Sequence, residues 1–353
     1  MIPDLRLQSD AGTRFLVGAA SMVVIVAGLR AAQQLVLPFL IAVFLAVVSA
    51  PLMNWLQRQK VPKPFAVLCT ILTAVGVIAV LGLVVGRSVN EFTAAAPRYQ
   101  ARLQLLLRSG LELAEEIGLP TEEWASFDIV PSEVFNYIGG ALSAVASFAS
   151  NTFLVLLAVV FILFEATGFR LKLRAAFGER ANFSQFTRMT QQVQNYLVIK
   201  TAISAGTGLV IGLWVSLLGL DFALLWGLVA FVLNFIPNLG SIIGALPAVL
   251  LALVQLGPFR AAVIAAGYLG INIIFGNFIE PNLMGRRFGL STLVVFVSLV
   301  FWGWLWGPIG MLFSVPLTMV LKIALENTKD FRWVAVMLGA NPSASTLGPK
   351  SAV

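Results

Sequence analysis

The chain has 353 residues, of which 59% are hydrophobic and only 11% are charged. Its mean hydropathy of +0.93 is far above that of an ordinary water-soluble domain, so the composition predicts a membrane protein. The 23 Lys and Arg residues outnumber the 16 Asp and Glu residues, which gives a net charge of +7. No strong basic run accompanies this excess, and nucleic-acid binding is therefore not expected.

Several residue types and motifs that carry enzyme chemistry are missing. The sequence has no histidine, and its single cysteine, Cys69, lies in an apolar run, so thiolate metal sites, Cys/His nucleophile pairs and disulfides within the chain are excluded. The HExxH and GxSxG protease signatures and the GxxxxGK[ST] nucleotide loop do not occur. We therefore expect no enzyme, no cofactor and no metal, and any transport must be driven by a gradient.

Residues 1–86 predict three transmembrane helices. A helix needs about 20 apolar residues to cross the hydrocarbon core. Charge-free stretches close to that length cover residues 15–29, 35–56 and 65–86, and each is bracketed by Arg or Lys. A cleaved signal peptide is the alternative for the first stretch. The second span begins within a few residues of its end, which favours a transmembrane helix instead.

Residues 87–196 predict a helical insert followed by a fourth span. The sequence turns polar and helix-favouring over 87–147, with apolar residues at helical spacing from Leu103 to Ala114. A transmembrane helix is predicted over 148–164. A basic loop then leads into a cytoplasmic amphipathic helix that carries apolar residues from Phe183 to Val193.

The positions of Lys and Arg predict the orientation of the chain. Arg58, Lys60 and Lys63 follow the second span, and further basic residues follow the fourth, which places both loops in the cytoplasm. The insert at 87–147 then lies on the periplasmic or extracellular side. Both termini, including a tail over 327–353, are predicted to be cytoplasmic.

The transport core is predicted over residues 197–326, where two hairpins are interrupted by glycine and proline. The first covers 222–256 and breaks at 237–241, and the second covers 291–325 and breaks at 307–310. Each arm of the first has about 15 residues and reaches about 22 Å, against a hydrocarbon core of about 30 Å. Lipid cannot satisfy the peptide groups freed at the breaks, so protein or water must cover them.

Paired short, interrupted apolar segments are typical of a transporter's binding site near the bilayer midplane. A plain helical hairpin with its turn in a loop is the alternative interpretation. The fold is therefore predicted to be all-α, a polytopic membrane bundle of about eight hydrophobic segments with two re-entrant hairpins. The candidate substrate and gating residues are Asn234, Pro237, Asn238, Gly240, Ser241, Asn272, Asn277, Glu280, Gly307, Pro308 and Gly310.

Four ionisable residues near these segments are candidate coupling charges: Lys200, Asp221, Glu280 and Arg286. For Lys200 and Asp221 the simpler interpretation is that the side chains reach water at a membrane interface. For Glu280 the alternative to a gating role is an interfacial salt bridge to Arg286 or Arg287.

Glycine and tryptophan patterns predict packing contacts. Gly240 to Gly244 and Gly303 to Gly307 match GxxxG, which we interpret as close helix packing. Trp302, Trp304 and Trp306 cluster at the second break, and a membrane-interface role is the preferred interpretation over a sugar-binding surface.

Three motifs resemble the signature of the autoinducer-2 exporter family. They are the stretch Gly276 to Arg286 continuing through Gly289 to Phe296, the stretch Asn234 to Ser241, and the stretch Phe301 to Leu312. The resemblance covers about residues 15–326 and implies a bacterial inner-membrane exporter of a small hydrophilic furanosyl signal. It also implies a homo-oligomer, a pentamer, with an elevator-like movement. Some members of the family are described as sodium or lithium/proton antiporters.

Three functions therefore stay open on the sequence. An exporter of autoinducer-2 is the leading hypothesis, and a Na⁺(Li⁺)/H⁺ antiporter in which Glu280 titrates is the second. The third is a membrane scaffold without permeation. It predicts that substituting Asn238 and Glu280 leaves the phenotype intact, whereas deleting residues 100–130 abolishes it.

Overall fold

The computed structural model describes residues 11–116, 139–140, 152–177, 184–237, 239–284, 290–326, 328 and 331–339. Within these ranges the regular structure is helical, apart from one antiparallel bridge between Leu290 and Gly339. The prediction of an all-helical chain is confirmed. The predicted break residue Asn238, the candidate charge Arg286 and most of residues 117–151 lie outside the described ranges.

The N-terminal third consists of three helices: α1 (Ala11–Ala31), α2 (Gln33–Arg58) and α3 (Lys63–Glu116). Helix α2 runs through Pro38 and Pro51 without ending. Helix α3 has 54 residues and is about 80 Å long at about 1.5 Å per residue. It does not break at Arg87, where the sequence suggested a separate insert, because the polar residues that follow still favour a helix.

The next helices are α4 (Thr152–Phe177), α5 (Ser184–Leu217), α6 (Ala223–Leu233) and α7 (Leu239–Leu256). Helix α5 joins the predicted amphipathic helix to the start of the predicted transport core at residue 197 in one continuous element. Helix α8 (Pro258–Ile273) continues through a π-helical segment (Ile274–Ile279) into α9 (Glu280–Met284). The described chain ends with α10 (Thr292–Glu326) and α11 (Arg332–Met337).

Six helical segments in the described ranges are long and apolar enough to cross a membrane: Gln33–Arg58, Lys63–Leu106, Thr190–Leu217, Leu239–Leu256, Pro258–Met284 and Thr292–Glu326. Shorter apolar helices cover Leu16–Ala31, Leu154–Glu165 and Ala223–Leu233. Their outer faces carry exposed apolar side chains, such as Val24, Leu72 and Leu217. Such surfaces suit a hydrocarbon solvent, and the chain is a multi-pass membrane protein.

Helices α6 and α7 form the first hairpin, which we call hairpin 1. Its tip is the irregular stretch that follows Leu233, where Ile236 N donates to the carbonyl of Leu233 at 2.8 Å. Gly240 starts the return arm under that same carbonyl, since a Cβ at Gly240 would lie 1.7 Å from Leu233 O. Gly244 also faces Leu233. The packing interpretation of the Gly240 to Gly244 pair is confirmed.

Helix α10 is folded back on itself and forms hairpin 2. Its backbone leaves helical geometry at Trp306 and Gly307, where Gly307 has φ +65 and ψ −149. Trp302 Nε1 donates to Thr318 Oγ1 at 3.0 Å. In a straight helix these two residues would lie about 24 Å apart, so their contact requires the fold-back. Gly303 packs against Met311 across the two arms, as its glycine pattern predicted.

The largest apolar core lies between the second half of α3, the end of α5, hairpin 1 and α8. Trp226, Leu225, Leu251 and Ile264 have no exposed surface there. A second core joins α2, α3 and α4 around Ala42 and Val159, and a third joins α1 and α2 to the tip of hairpin 2. Hairpin 1 is thus held by α5 on one side and by α3 and α8 on others.

Candidate functional site

A row of buried polar side chains runs along α5. Lys200, Ser204 and Thr207 are 3%, 0% and 2% exposed, and their spacing of three or four residues puts them on neighbouring positions of one helix face. The hydroxyl of Thr207 forms its hydrogen bond within α5, by donating to the carbonyl of Ile203 at 2.9 Å. Lys200 and Ser204 bind other elements instead, so this face, which we call the polar stripe, marks a place where distant segments meet.

Lys200 binds Glu280, the first residue of α9. Lys200 Nζ donates to both carboxylate oxygens of Glu280, at 2.9 Å and 2.8 Å. The side chains are 4% and 28% exposed, so the carboxylate keeps partial access while the ammonium does not. The interfacial interpretation of Lys200 is therefore wrong: the side chain is buried and paired. Glu280 pairs with Lys200, while Arg286 and Arg287 lie outside the described residues.

The tip of hairpin 1 binds the polar stripe one helical turn further along. Asn234 ends α6, and its Nδ2 donates to Ser204 Oγ at 3.0 Å. Ser204 is four residues after Lys200, so the two cross-helix contacts lie about 6 Å apart along the axis of α5. The structure thus brings Asn234, Lys200 and Glu280 to one buried face.

The other predicted residues of hairpin 1, α8 and the π-helical segment differ in exposure. Pro237 and Ser241 are half-buried at the tip, and Gly240 is buried. Asn272 is half-buried, whereas Asn277, in the π-helical segment, is exposed. π-helical segments are rare and occur frequently at functional sites, and here the segment ends directly at Glu280.

The tip of hairpin 2 lies elsewhere. Trp306 Nε1 donates to the carbonyl of Leu29 at 3.1 Å, and the Arg30 guanidinium stands 5.1 Å from the centre of the Trp304 ring. The break at Gly307, Pro308 and Gly310 is therefore docked on the end of α1, apart from the polar stripe. Trp302 and Trp306 are buried in the bundle, whereas Trp304 is exposed, and the membrane-interface interpretation of the three tryptophans stays a prediction.

The two hairpins do approach each other, through aromatic rings. Phe44 of α2 contacts Phe235 of hairpin 1 with ring centroids 5.6 Å apart, and Phe313 of hairpin 2 with centroids 5.5 Å apart. Both pairs are edge-to-face, the favoured geometry for such contacts. The described contacts at the junction between the hairpins are thus aromatic.

Asp221 lies at the base of hairpin 1 and is tied to α3. Tyr99 OH donates to Asp221 Oδ2 at 2.5 Å, and Arg98 Nη2 is 3.9 Å from the same oxygen. The Asp221 amide donates to Gln255 Oε1 at 3.0 Å, which joins the two arms of the hairpin. We call these contacts the base cluster. They tie Asp221 to α3 and to the return arm of hairpin 1, at the opposite end of the hairpin from Asn234.

Sequence reasoning missed Ser204 and Thr207. Both occur in a run that reads as an ordinary transmembrane helix with small polar residues, and such residues usually bond their own helix. The available signal was their spacing from Lys200, which repeats at one helical turn. Among the described residues, no group of three or more His, Cys, Asp or Glu side chains could hold a metal ion.

These features define a class: a polytopic helical membrane protein whose broken hairpin and buried ion pair meet inside the bundle. Residues 20–330 match the AI-2E family transporter family, and the chain belongs to that family. It is a transporter and not an enzyme, and the family resemblance seen in the sequence motifs is confirmed.

Similar proteins cover nearly the whole chain. The AI-2 transport protein TqsA of Escherichia coli (strain K12) is 38% identical over 329 residues, which cover 93% of this chain and 96% of that protein. The putative transport protein YhhT of the same organism is 36% identical over 340 residues, covering 95% and 97%. A putative transport protein of Haemophilus influenzae is 36% identical over 335 residues, covering 92% and 96%.

Proposed function

We propose that the chain exports a small hydrophilic signal of the autoinducer-2 type across the bacterial inner membrane. The observation that carries the proposal is the junction on α5, where Asn234 binds Ser204 one turn from the Lys200–Glu280 ion pair. A furanosyl polyol offers hydroxyl groups that can replace such hydrogen bonds. The similarity to a protein named as an AI-2 transport protein supports this choice of solute.

The mechanism we propose is a movement of hairpin 1 against the polar stripe. The tip after Leu233 is irregular, and a solute that replaces the Asn234–Ser204 bond would release it from α5. Interhelical hydrogen bonds in membranes contribute only about 0.6 kcal/mol on average, so a solute can exchange for one at small cost. Alternating access by an elevator-like movement of the hairpins follows, with export driven by a gradient.

Uptake of labelled autoinducer-2 into everted membrane vesicles tests this function. Vesicles with the wild-type protein are expected to accumulate the label above vesicles without it. Asn234→Ala and Ser204→Ala are each expected to lower the rate about threefold, since a lost contact of about 0.6 kcal/mol in the transition state corresponds to that factor. Ser216→Ala, at an exposed position of the same helix, is the matched control and should transport normally. No accumulation by the wild type would overturn the proposal.

A Na⁺(Li⁺)/H⁺ antiporter is the second candidate, favoured by the Lys200–Glu280 pair. A carboxylate that is 28% exposed and held by a buried ammonium can exchange its partner for a proton or a small cation. In proteoliposomes with an imposed pH gradient, a pH-sensitive dye would report proton movement on addition of Na⁺ or Li⁺. A response that Glu280→Gln abolishes supports the antiporter, and no response removes it.

The assembly and topology are further parts of the proposal. We propose a homo-oligomer, a pentamer, with both termini in the cytoplasm and residues 87–147 outside. Native mass spectrometry from detergent is expected to show five copies. An impermeant cysteine reagent is applied to intact and to permeabilised cells in a Cys69→Ser background. It is expected to modify a cysteine introduced at the C-terminus only in the permeabilised cells.

A further inference from the structure

The bundle contains a cavity of about 370 Å³ that differs in chemistry from the polar stripe. It lies between α2, α3 and the two hairpins, with single contributions from α4 and α5, and every residue that lines it is apolar or glycine. The lining residues of α2, from Ile41 to Leu45, fall near the middle of that helix. The cavity is therefore an apolar space at mid-depth in the membrane-spanning bundle.

We propose that this cavity binds the acyl chain of a membrane lipid. A polyol or a hydrated cation would lose its hydrogen bonds there, because none of the lining side chains can donate or accept one. Apolar cavities exclude water and take apolar guests, and a cavity of about 150 Å³ already holds a benzene molecule. The inference goes beyond the proposed function and does not depend on it.

The surroundings of the cavity indicate a lipid as the source of that chain. On α3 the lining residues Ile78, Leu81 and Gly82 alternate with Val77 and Val80, which are 53% and 59% exposed. The wall of the cavity is thus one side of a helix whose other side faces hydrocarbon. Along this stretch of α3, both the side chains that line the cavity and those that face outward are apolar, as a lipid chain requires.

Two glycines leave room for the chain on the α3 side. Gly82 and Gly86 line the cavity, and no atom of the described residues lies within 4 Å of where a Cβ would stand on either. On the opposite wall, Phe231 and Phe235 belong to hairpin 1. A fluid chain between the glycines and these rings would let the hairpin tip shift without opening a void. An empty void would cost the lining side chains their packing contacts.

Photolabelling by a lipid tests the proposal. The full chain is reconstituted into phosphatidylethanolamine and phosphatidylglycerol vesicles that contain a lipid with a diazirine at mid-chain. After irradiation, peptide mass spectrometry compares labelling of Phe231 with labelling of exposed Val77. The wild type is expected to show label at both. In Gly82→Leu the ratio is expected to fall about fivefold or more, because the leucine side chain takes the room that the glycine leaves for a lipid chain at the α3 wall.

Two variants keep this outcome interpretable. Gly86→Leu fills the cavity from the next turn and should act like Gly82→Leu. Gly76→Leu places the same side chain on α3 away from the cavity, where no described atom lies within 4 Å, and should leave the ratio unchanged. An unlabelled Phe231 in the wild type, or an unchanged ratio in both filling variants, would overturn the proposal.

A second copy of the chain is the competing occupant, because Gly82 and Gly86 have the spacing of a helix-contact motif. In a Cys69→Ser background, Gly82→Cys and Gly76→Cys are oxidised in the same vesicles. If a lipid chain occupies the cavity, neither forms covalent dimers efficiently. Dimers formed by Gly82→Cys alone would assign the cavity to a neighbouring copy and overturn the lipid proposal.

Discussion

At the scale of single residues, the Lys200–Glu280 pair is the most demanding feature of the structure. Removing two charges from water costs several kcal/mol per ion, and their attraction offsets this only with good geometry. Here the ammonium donates to both carboxylate oxygens within 2.9 Å. A buried pair of this kind contributes little net stability while intact, but loss of one partner leaves the other charge uncompensated. The pair therefore holds α9 against α5 only while both charged side chains are present.

This conditional role predicts the outcome of a double-mutant cycle. Lys200→Met and Glu280→Gln are each expected to lower the free energy of unfolding by about 3 kcal/mol, the lower end of the range because Glu280 is partly exposed. The double variant is expected to recover most of that loss. Thermal unfolding in detergent measures all four corners.

Lys172 and Glu165 supply the control for this cycle, since they form a pair of the same 2.8 Å length with side chains 69% and 52% exposed. Lys172→Met should change the free energy of unfolding by about 0–1 kcal/mol. Additive losses in the Lys200 and Glu280 cycle would show that the two side chains do not act as a pair.

The sequence suggested Glu280, Asn234 and Lys200 as candidate residues, but it predicted neither the pairing of Lys200 with Glu280 nor the role of Ser204. Asparagine and glutamate in apolar runs are visible because lipid penalises them, whatever they contact. Their partners are 80 and 30 residues away, and the pairing depends on how α5 is rotated, which apolar periodicity does not define when a helix is apolar on most faces. The ion pair between Lys200 and Glu280 therefore needed the three-dimensional arrangement.

At the scale of helices, close packing of α5 on α6 positions hairpin 1. A Cβ on Gly208 would stand 2.5 Å from Gly227 O, and one on Gly227 would stand 2.7 Å from Gly208 O. Gly212 completes the contact, 3.1 Å from the same position. Small residues allow the two backbones to approach this closely. In a bilayer, where the hydrophobic effect does not drive helices together, such packing stabilises their association. The glycines thus hold α6 where Asn234 can reach Ser204.

Gly227→Ala is expected to lower the free energy of unfolding by about 1–3 kcal/mol, because the added methyl meets backbone atoms that cannot rotate away. Transport should fall with it, since the hairpin is displaced from α5. Gly270→Ala in α8 is the control: no described atom lies within 4 Å of its Cβ position, and alanine favours a helix. A Gly227→Ala protein as stable as the wild type would contradict the packing account.

The break in hairpin 2 requires glycine for its backbone conformation, not for close packing against a neighbour. Gly307 adopts φ +65 and ψ −149, a region essentially restricted to glycine, and no described atom lies within 4 Å of its Cβ position. Gly307→Ala should therefore cost about 1–3 kcal/mol through the backbone alone. Thermal unfolding compares it with Gly28→Ala in α1, which is also unhindered but helical and should not lose stability.

The helices themselves followed from the sequence more closely than their ends did. Apolar runs bracketed by Arg or Lys predicted α1 and α2 to within a few residues, because the hydrocarbon thickness determines their length. The ends of α3 and the start of α5 were missed. A polarity change at Arg87 marks a change of solvent, not the end of a helix, and α3 continues through both Gly86 and Pro97, which are helix-breaking signals in sequence.

At the scale of the whole molecule, α3 connects the first spans to the transport core. It begins at Lys63 beside α2 and reaches hairpin 1 with its second half, where Phe92 and Tyr99 are 2% and 3% exposed. The base cluster is the polar part of this contact. Because Asn234 binds α5 at the other end of α6, hairpin 1 is held at its base by α3 and at its tip by α5.

Tyr99→Phe tests this division of roles. It removes the bond to Asp221, and a hydrogen bond to a charged group contributes about 1.5–3 kcal/mol, taken here at the lower end because Asp221 is 43% exposed on its side chain. Amide hydrogen exchange over residues 219–233 should accelerate roughly tenfold, since about 1.4 kcal/mol corresponds to one decade. Exchange over the arms of hairpin 2 should not change.

Tyr268→Phe is the matched control, because it removes a buried hydroxyl that has no hydrogen-bond partner among the described residues. Deleting an unsatisfied buried group is neutral or stabilising, so its exchange should equal or fall below that of the wild type. Arg98→Gln should also be mild, since the guanidinium is 73% exposed and 3.9 Å from the carboxylate. If Tyr99→Phe loosens hairpin 2 as much as hairpin 1, the base cluster is a general stabilising contact and does not anchor hairpin 1 specifically.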